Sequence, residues 1–511
     1  MIRFWRWPAA LVGGFLLWLA YPPVNLGWLA IGGVALIVGS LYRAPLKQSF
    51  VIAFISSLTF YLLLLRWLTV VGFDGWILLS AVCSVYFGIM GIGVASSTRF
   101  KWWPLLVAGM WIAQEWIRGT WPFGGFPWGT LAFSQVDTSL GRTSTLLGML
   151  GTSGVVVLCA SLIVLVVVYT LEHRLTQAFP AIGVVAALVL APLLISLPST
   201  GDTQGGEPSA TIAIVQGGTP TVGMNAFDVR RAVLDNHVRE SMKLAVEINH
   251  DLVPKPAFVL WPENSSDLDP YRDQAAAAAI GVAVRALNVP VLIGAVVGNP
   301  QDSATVLNAG ILWDPTSGPG QQYNKKHPVP FGEYVPFRSL LAPLINRFDR
   351  IGHDFAAGDA TGIFHISNVD VGDVICFEIA YNSVVDALIT DGARVLTVQT
   401  NNATYAGTAQ PMQQFMIERM RALETGRSVV VAATTGISAF IGPDGQVLEE
   451  ISEGDVGSRV HEAALRGSRN LGSYVGSYVT LIWGGLAVLV TGLATARAFR
   501  NRHRRARKVV Q

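Results

Sequence analysis

The sequence predicts a polytopic α-helical membrane protein with a large α/β domain inserted before its last hydrophobic segment. Three observations predict this. Of 511 residues, 51% are hydrophobic and only 14% are charged, against roughly 25% charged in ordinary soluble chains. Eight apolar runs approach the about 20 residues needed to cross a hydrocarbon core roughly 30 Å thick. Between the seventh and eighth, short β-rich runs alternate with amphipathic helical stretches, the pattern of a layered α/β domain.

Seven spans are expected before residue 200, at about 8–21, 25–42, 50–71, 75–97, 102–119, 143–171 and 178–197, with an eighth over 475–497. The first run is short enough for a signal-peptide core. Tyr21-Pro22-Pro23 follows it in place of a small-residue cleavage site, however, and a second apolar run begins at once, so it reads as a span. The chain therefore divides into a membrane domain at 1–200, a water-exposed domain at 205–470, the last span, and a basic tail at 498–511.

Lys and Arg set the expected orientation. With the N-terminus (Arg3, Arg6) in the cytoplasm, Arg43, Lys47, Arg99, Lys101 and Arg174 fall on the same side, and the basic tail joins them. The opposite loops are poor in positive charge. The 205–470 domain is then extracytoplasmic, where no ATP is available and chemistry must use energy already stored in the substrates. The tail reads as a stop-transfer anchor; a nucleic-acid arm would look alike in isolation. A formal net charge of +2 suggests no polyanionic partner, and no nucleic acid is expected.

Three cysteines are present, Cys83, Cys159 and Cys376. The first two lie in apolar runs, where cysteine behaves as a small buried hydrophobe. No spacing suits zinc or a disulfide framework, so no metal and no cofactor are expected.

Strands are predicted at Thr211–Val215, Phe258–Trp261, Pro290–Val296, Val306–Trp313, Val371–Cys376, Arg394–Thr400, Val429–Ala433 and Ile437–Ile441. Helices are predicted near 228–248, 272–287 and 409–425, the last with Met412, Met416, Met420 and Leu423 on one face and Gly426 as its C-cap. Four chemically capable side chains sit where these strands end: Glu263, Lys325, Glu333 and Cys376. Loops at the carboxyl ends of strands are where α/β folds assemble sites. Singly, each has a bland reading: a structural thiol, a capping carboxylate, a solvated basic loop. Together they compose a machine for acyl transfer through a thioester. Glu263 takes the thiol proton, Lys325 stabilises the oxyanion, and Glu333 and Glu378 orient the lysine or an incoming amine. A helix starting at Phe377-Glu378-Ile379-Ala380 is expected to lower the thiol pKa of Cys376.

The order Trp261-Pro262-Glu263, Lys325 with Val329-Pro330-Phe331-Gly332-Glu333-Tyr334-Val335-Pro336, and Ile375-Cys376-Phe377-Glu378 resembles the nitrilase superfamily. That resemblance implies an αββα sandwich and a Glu-Lys-Cys triad. Its insertion among membrane spans resembles the apolipoprotein N-acyltransferase family, as do Glu115-Trp116-Ile117-Arg118, Gly125-Phe126-Pro127-Trp128-Gly129 and Arg421-Ala422-Leu423-Glu424-Thr425-Gly426-Arg427. The resemblance implies a phospholipid acyl donor and a diacylglyceryl-modified lipoprotein acceptor, both held in membrane lipid. Two positions depart from the pattern. Phe227 stands where a Trp is usual, and Asn401-Asn402-Ala403-Thr404-Tyr405 replaces Asn-Asp-Ala-Trp-Phe; both bear on acyl-chain preference and lid packing.

Phe227, Phe377, Trp128 and Tyr334 are candidate lipid or substrate contacts. The loop 119–135 could cradle lipid tails or form an interfacial aromatic belt. Glu115 and Arg118, costly near lipid, either pair locally or face a hydrated cavity. Two other readings stay open: a membrane-tethered amidase using water as second nucleophile, and a non-catalytic scaffold.

Overall fold

The computed structural model describes residues 4–198, 208–225, 229, 231–341 and 352–496. The chain forms two compact units, Met1–Ser196 with Asn470–Gln511, and Leu197–Arg469. Arg3, Phe227 and the basic tail, singled out above, lie outside the described residues.

The first unit is helical: α1 (Arg6–Leu19), α2 (Leu29–Leu41), α3 (Leu46–Leu64), α4 (Phe73–Ser97), α5 (Trp103–Arg118), α6 (Ser144–Leu171), α7 (Leu175–Leu190) and a C-terminal helix ending at Ala496. Among the described residues, five segments are long and apolar enough to cross a membrane: Leu46–Leu64, Phe73–Ser97, Ser139–Leu171, Leu175–Leu194 and Leu471–Ala496. The other three expected spans are shorter helices of 14, 13 and 16 residues. At 1.5 Å per residue, 13 residues reach only about 20 Å. Their length is cut by local chemistry: Tyr21-Pro22-Pro23 follows α1, and α5 opens on Pro104 and stops at Gly119. Small residues let these helices touch. A Cβ on Gly14 of α1 would lie 2.0 Å from the Ser56 carbonyl oxygen of α3. The hydroxyls of Ser56 in α3 and Ser84 in α4 donate to carbonyls one turn back and so satisfy themselves inside the apolar interior.

The second unit is an αββα sandwich. Its strands are β1 (Ser209–Gln216), β2 (Phe258–Leu260), β3 (Val291–Gly298), β4 (Thr305–Asp314), β5 (Gly318–Asn324), β6 (Asp354–Phe355), β7 (Ile363–Ile366), β8 (Val369–Ile375), β9 (Val395–Thr400), β10 (Val429–Ala433), β11 (Ser438–Ile441), β12 (Val447–Ile451) and β13 (Gly457–Ala464). One sheet runs β13-β1-β2-β3-β4-β5 with β6 on β4; the other runs β12-β11-β10-β9-β8-β7. The sheets face each other across Ile212, Ile214, Phe258 and Leu260 from one side and Val371, Ile375, Val430 and Phe440 from the other. Helices α8 (Ala232–Asn249) and α9 (Gln274–Leu287) cover the far face of the first sheet through Leu244, Ile248, Ile280 and Val284. After the single turn α10 (Arg338–Leu341), α11 (Asn382–Thr390) and α12 (Gln410–Thr425) pack on the second.

All eight predicted strands are present. They are the central ones and their neighbours, buried on both faces, so β2, β9 and β10 read as unbroken apolar runs. Five strands were not predicted: β6, only two residues long and paired with β4, and the sheet edges β5, β7, β12 and β13, whose polar residues mask the pattern. In α12, Met416, Met420 and Leu423 are buried as expected, but Met412, in the first turn, is exposed. Gly426 caps the helix in the left-handed conformation at φ 65°.

Candidate active site

Glu263 lies in a turn just beyond β2. The turn is sewn to β3 at one residue: Ser265 Oγ donates to the Gly294 carbonyl at 3.0 Å and accepts its N–H at 3.2 Å. A Cβ at Gly294 would sit 2.3 Å from Pro262 O and 2.7 Å from Glu263 Cα, so only glycine lets the carboxylate-bearing turn approach. Gln399 of the opposite sheet donates to Trp261 O at 2.7 Å, tying the two sheets together beside this turn.

Lys325 follows β5, and its N–H extends the ladder to Asn308 O of β4 at 2.8 Å. Its Nζ donates to Glu263 Oε1 and to Glu333 Oε1, both at 3.0 Å. Asn308 Nδ2 donates to the same two oxygens at 2.7 and 2.8 Å. Two nitrogens thus bridge two carboxylates in a closed ring. Lys325 is 2% exposed. Burial by itself favours the neutral amine, but the Glu263 and Glu333 carboxylates outweigh it and hold the ammonium well above the usual lysine range. Glu333 reaches back because Val329–Glu333 forms a tight turn: Phe331 takes φ 64°, and the second carboxylate oxygen accepts from Val329 N–H at 2.6 Å.

Cys376 ends β8 with left-handed backbone, φ 58°, which turns its thiol out of the strand direction. The helix expected to begin here does not form. Cys376–Ala380 is a short 3₁₀ turn, Tyr381 is extended, and α11 starts only at Asn382. The reason is Glu378. One of its oxygens accepts from Ile375 N–H at 3.0 Å, and the other from Lys326 and His327 N–H at 2.7 and 3.0 Å. Tyr323 OH donates to the same carboxylate. Glu378 therefore ties the cysteine turn to the lysine loop through backbone groups; it does not contact the ammonium itself. Arg421, fully buried and paired with Glu424 at 2.7 Å, braces the turn from α12 by donating to Ile379 O and Ala380 O.

The thiol is accordingly not activated at rest. Burial, reinforced by the Glu263 charge and opposed by Lys325, pushes Cys376 up to about 12. The sequence-based expectation of a helix-lowered pKa is overturned, since no helix terminus points at the sulfur.

The site gathers Glu263, Lys325, Glu333, Cys376 and Glu378 from loops of both sheets. Asn308 and Thr400, whose Oγ1 lies 3.3 Å from Cys376 Sγ, were not foreseen. Among the candidate lipid contacts, Phe377 and Tyr334 are half-buried in this unit, with Phe377 edge-on to Tyr381. Trp128 belongs to the helical unit and is only 1% exposed, packed against Trp67 with its carbonyl accepting from Arg118 at 2.6 Å. Its ring faces protein rather than lipid; Trp121 and Phe123 are the exposed aromatics of that loop. Among the described residues, no group of three His, Cys, Asp or Glu side chains could hold a metal ion.

Two family profiles match the chain: the apolipoprotein N-acyltransferase N-terminal domain over residues 13–162, and carbon-nitrogen hydrolase over residues 211–465. A protein of Mycolicibacterium smegmatis named apolipoprotein N-acyltransferase is 37% identical over 454 residues, covering 86% of this chain and 76% of that one. Its namesake in Gloeobacter violaceus is 28% identical over 460 residues, covering 86% and 84%. Among solved structures, a nitrilase-superfamily amidase of Nesterenkonia AN1 aligns with 53% of this chain and 96% of its own, at 14% identity and a TM-score of 0.39.

Proposed function

The chain belongs to the apolipoprotein N-acyltransferase family, membrane enzymes of lipoprotein N-acylation, and we propose that it moves a fatty acyl chain from a phospholipid to the N-terminal amine of a diacylglyceryl-cysteine through a thioester on Cys376. The observation that carries this reading is the Glu263–Lys325–Glu333 ring, its lysine buried, gathered beside the half-buried Cys376 thiol.

Glu263 removes the thiol proton as the sulfur attacks the ester carbonyl carbon. The new C–S bond forms, the ester C–O bond breaks, and the departing lysophospholipid alkoxide takes the proton back from Glu263. In the second half the lipoprotein amine attacks the thioester. The C–N bond forms, the C–S bond breaks, and the amine proton returns through Glu263 to the sulfur. Lys325 has three N–H donors; two hold the carboxylates, and the third serves the oxyanion of each tetrahedral intermediate. Ester to thioester to amide needs no ATP. This agrees with the extracytoplasmic placement of the 205–470 domain and the cytoplasmic termini that the loop charges support.

The test is a product assay. Enzyme, phospholipid and a synthetic diacylglyceryl-cysteine peptide are incubated together, and the peptide is weighed by mass spectrometry. Addition of one acyl chain as an amide is expected, with lysophospholipid in equal amount. Rapid hydrolysis of lipid-free amides with no acylated peptide would instead establish the amidase reading.

A further inference from the structure

A chain of hydrogen bonds leads from the sulfur into the body of α12, away from the Glu263–Lys325 ring. Thr400 Oγ1, at the end of β9, lies 3.3 Å from Cys376 Sγ. Gln414 Nε2 donates to that same Thr400 oxygen at 2.8 Å and to Glu418 Oε1 at 3.0 Å. Gln414 Oε1 is fixed in turn by Asn402 Nδ2 and Gln410 Nε2, each at 3.1 Å. Glu418 is 2% exposed, a carboxyl inside the protein that no step of acyl transfer uses.

The geometry points to Glu418 and Gln414 as positioning residues that force the Thr400 hydroxyl to donate its proton toward Cys376 Sγ, stabilising the thiolate as it forms. This rests on Cys376 being the nucleophile. The logic is one of donors and acceptors. An amide nitrogen can only donate, so Gln414 Nε2 occupies a lone pair of Thr400 Oγ1 and leaves the hydroxyl proton to be given elsewhere. The acceptors in reach are Sγ and Asn402 Oδ1, the latter at 3.4 Å, long for oxygen. The sulfur contact is well within the range of a bond to the larger atom. Glu418 on the nitrogen, with the Asn402 and Gln410 donors on the oxygen, keeps the Gln414 amide in this sense. Without an acceptor there, only the two donors on the oxygen oppose a rotated amide, which would present its oxygen to Thr400 and draw the hydroxyl proton off the sulfur. Burial pushes the Glu418 carboxyl up to about 8, so at neutral pH it serves as an uncharged acceptor and places no negative charge behind the forming thiolate.

The other titratable groups bearing on the thiol are Glu263, Lys325 and Tyr405, all outside this chain. Its remaining members, Asn402, Gln410 and Gln414, do not titrate.

The experiment measures alkylation of Cys376 by iodoacetamide in the full-length enzyme in detergent, from pH 5.5 to 7, below the range in which Glu418 ionises. The Cys376 peptide is followed by mass spectrometry, because Cys83 and Cys159 are also free thiols. For wild type, with the thiol near 12, the rate should climb about tenfold per pH unit with no plateau. Thr400→Val should displace this line downward about tenfold at every pH, the scale of a hydrogen bond to a charged group. Thr400→Ser should stay within about twofold of wild type. Glu418→Leu should lower the line about threefold and Glu418→Gln, which keeps an acceptor, should restore it. If Thr400→Val does not fold, Thr400→Ala gives the same reading. Superposition of the Thr400 variant on wild type overturns the proposal, as does a Glu418→Gln variant no better than Glu418→Leu. The assay contains no lipid, so its outcome is separate from that of the product assay, which alone decides whether acyl transfer occurs.

Discussion

Each unit of this protein buries a carboxylate and a cation, and the two pairs are built in opposite ways. In the helical unit, Glu115 and Arg118 stand one turn apart on α5. Glu115 accepts from Trp111 Nε1 at 3.0 Å and Leu131 N–H at 2.8 Å, while Arg118 donates to the carbonyls of Phe126 and Trp128. Apart from the Trp111 bond within α5, these hydrogen bonds go to backbone groups of the neighbouring loop and fix its path. In the sandwich, Glu263 comes from the turn after β2, Lys325 and Glu333 come from the loop after β5, and the three bond to one another, with Asn308 closing the ring. The first arrangement pins backbone; the second stores charge at one point beside a thiol. Burial of opposite charges is common to both. What separates a structural pair from a chemical one is whether the charges are spent on the chain or on each other.

The comparison breaks if either pair behaves like the other. Lys325→Met should have the largest effect, cutting N-acylation about a thousandfold by removing the oxyanion donor. It should also lower stability by about 3–5 kcal/mol, because two buried carboxylates are left facing each other. A variant with near-normal turnover would make the ring structural. Arg118→Met should be the converse. It abandons the Phe126 and Trp128 carbonyls and should cost about 3 kcal/mol in the melting of the detergent-solubilised protein. Alkylation of Cys376 should remain within about twofold of wild type, as expected for independent sites. A change in the slope of that alkylation with pH would mean that the helical pair participates in the chemistry.

Much of this was legible in the chain. The αββα core was readable because its central strands are apolar on both faces, and Glu263, Lys325 and Cys376 stood out where those runs end. The edge strands were hidden by their polar outer residues. Asn308, Thr400 and Gln414 were hidden for a different reason. Each is a polar residue inside a strand or helix, and nothing local marks whether it faces water or a reaction centre; only the packing of β4, β9 and α12 brings them to the ring and the thiol. The activation of Cys376 was misjudged because Phe377-Glu378-Ile379-Ala380 has helical composition. Glu378 is drawn instead into bonds with the Ile375, Lys326 and His327 amides, which closes a tight turn. Each expected span coincides with an apolar helix, but only five of those helices are long enough to cross a membrane, and Arg6–Leu19, Leu29–Leu41 and Trp103–Arg118 are shorter.

The most direct test of the central claim is to trap the acyl-enzyme. Purified protein is incubated with an alkyne-tagged phospholipid and no acceptor, and the covalent label is read on a gel before and after neutral hydroxylamine. The account predicts a label that hydroxylamine removes, that a diacylglyceryl-cysteine peptide also discharges, and that Cys376→Ala never acquires. A label that persists in folded Cys376→Ala, or none at all in active wild type, would contradict a thioester at Cys376.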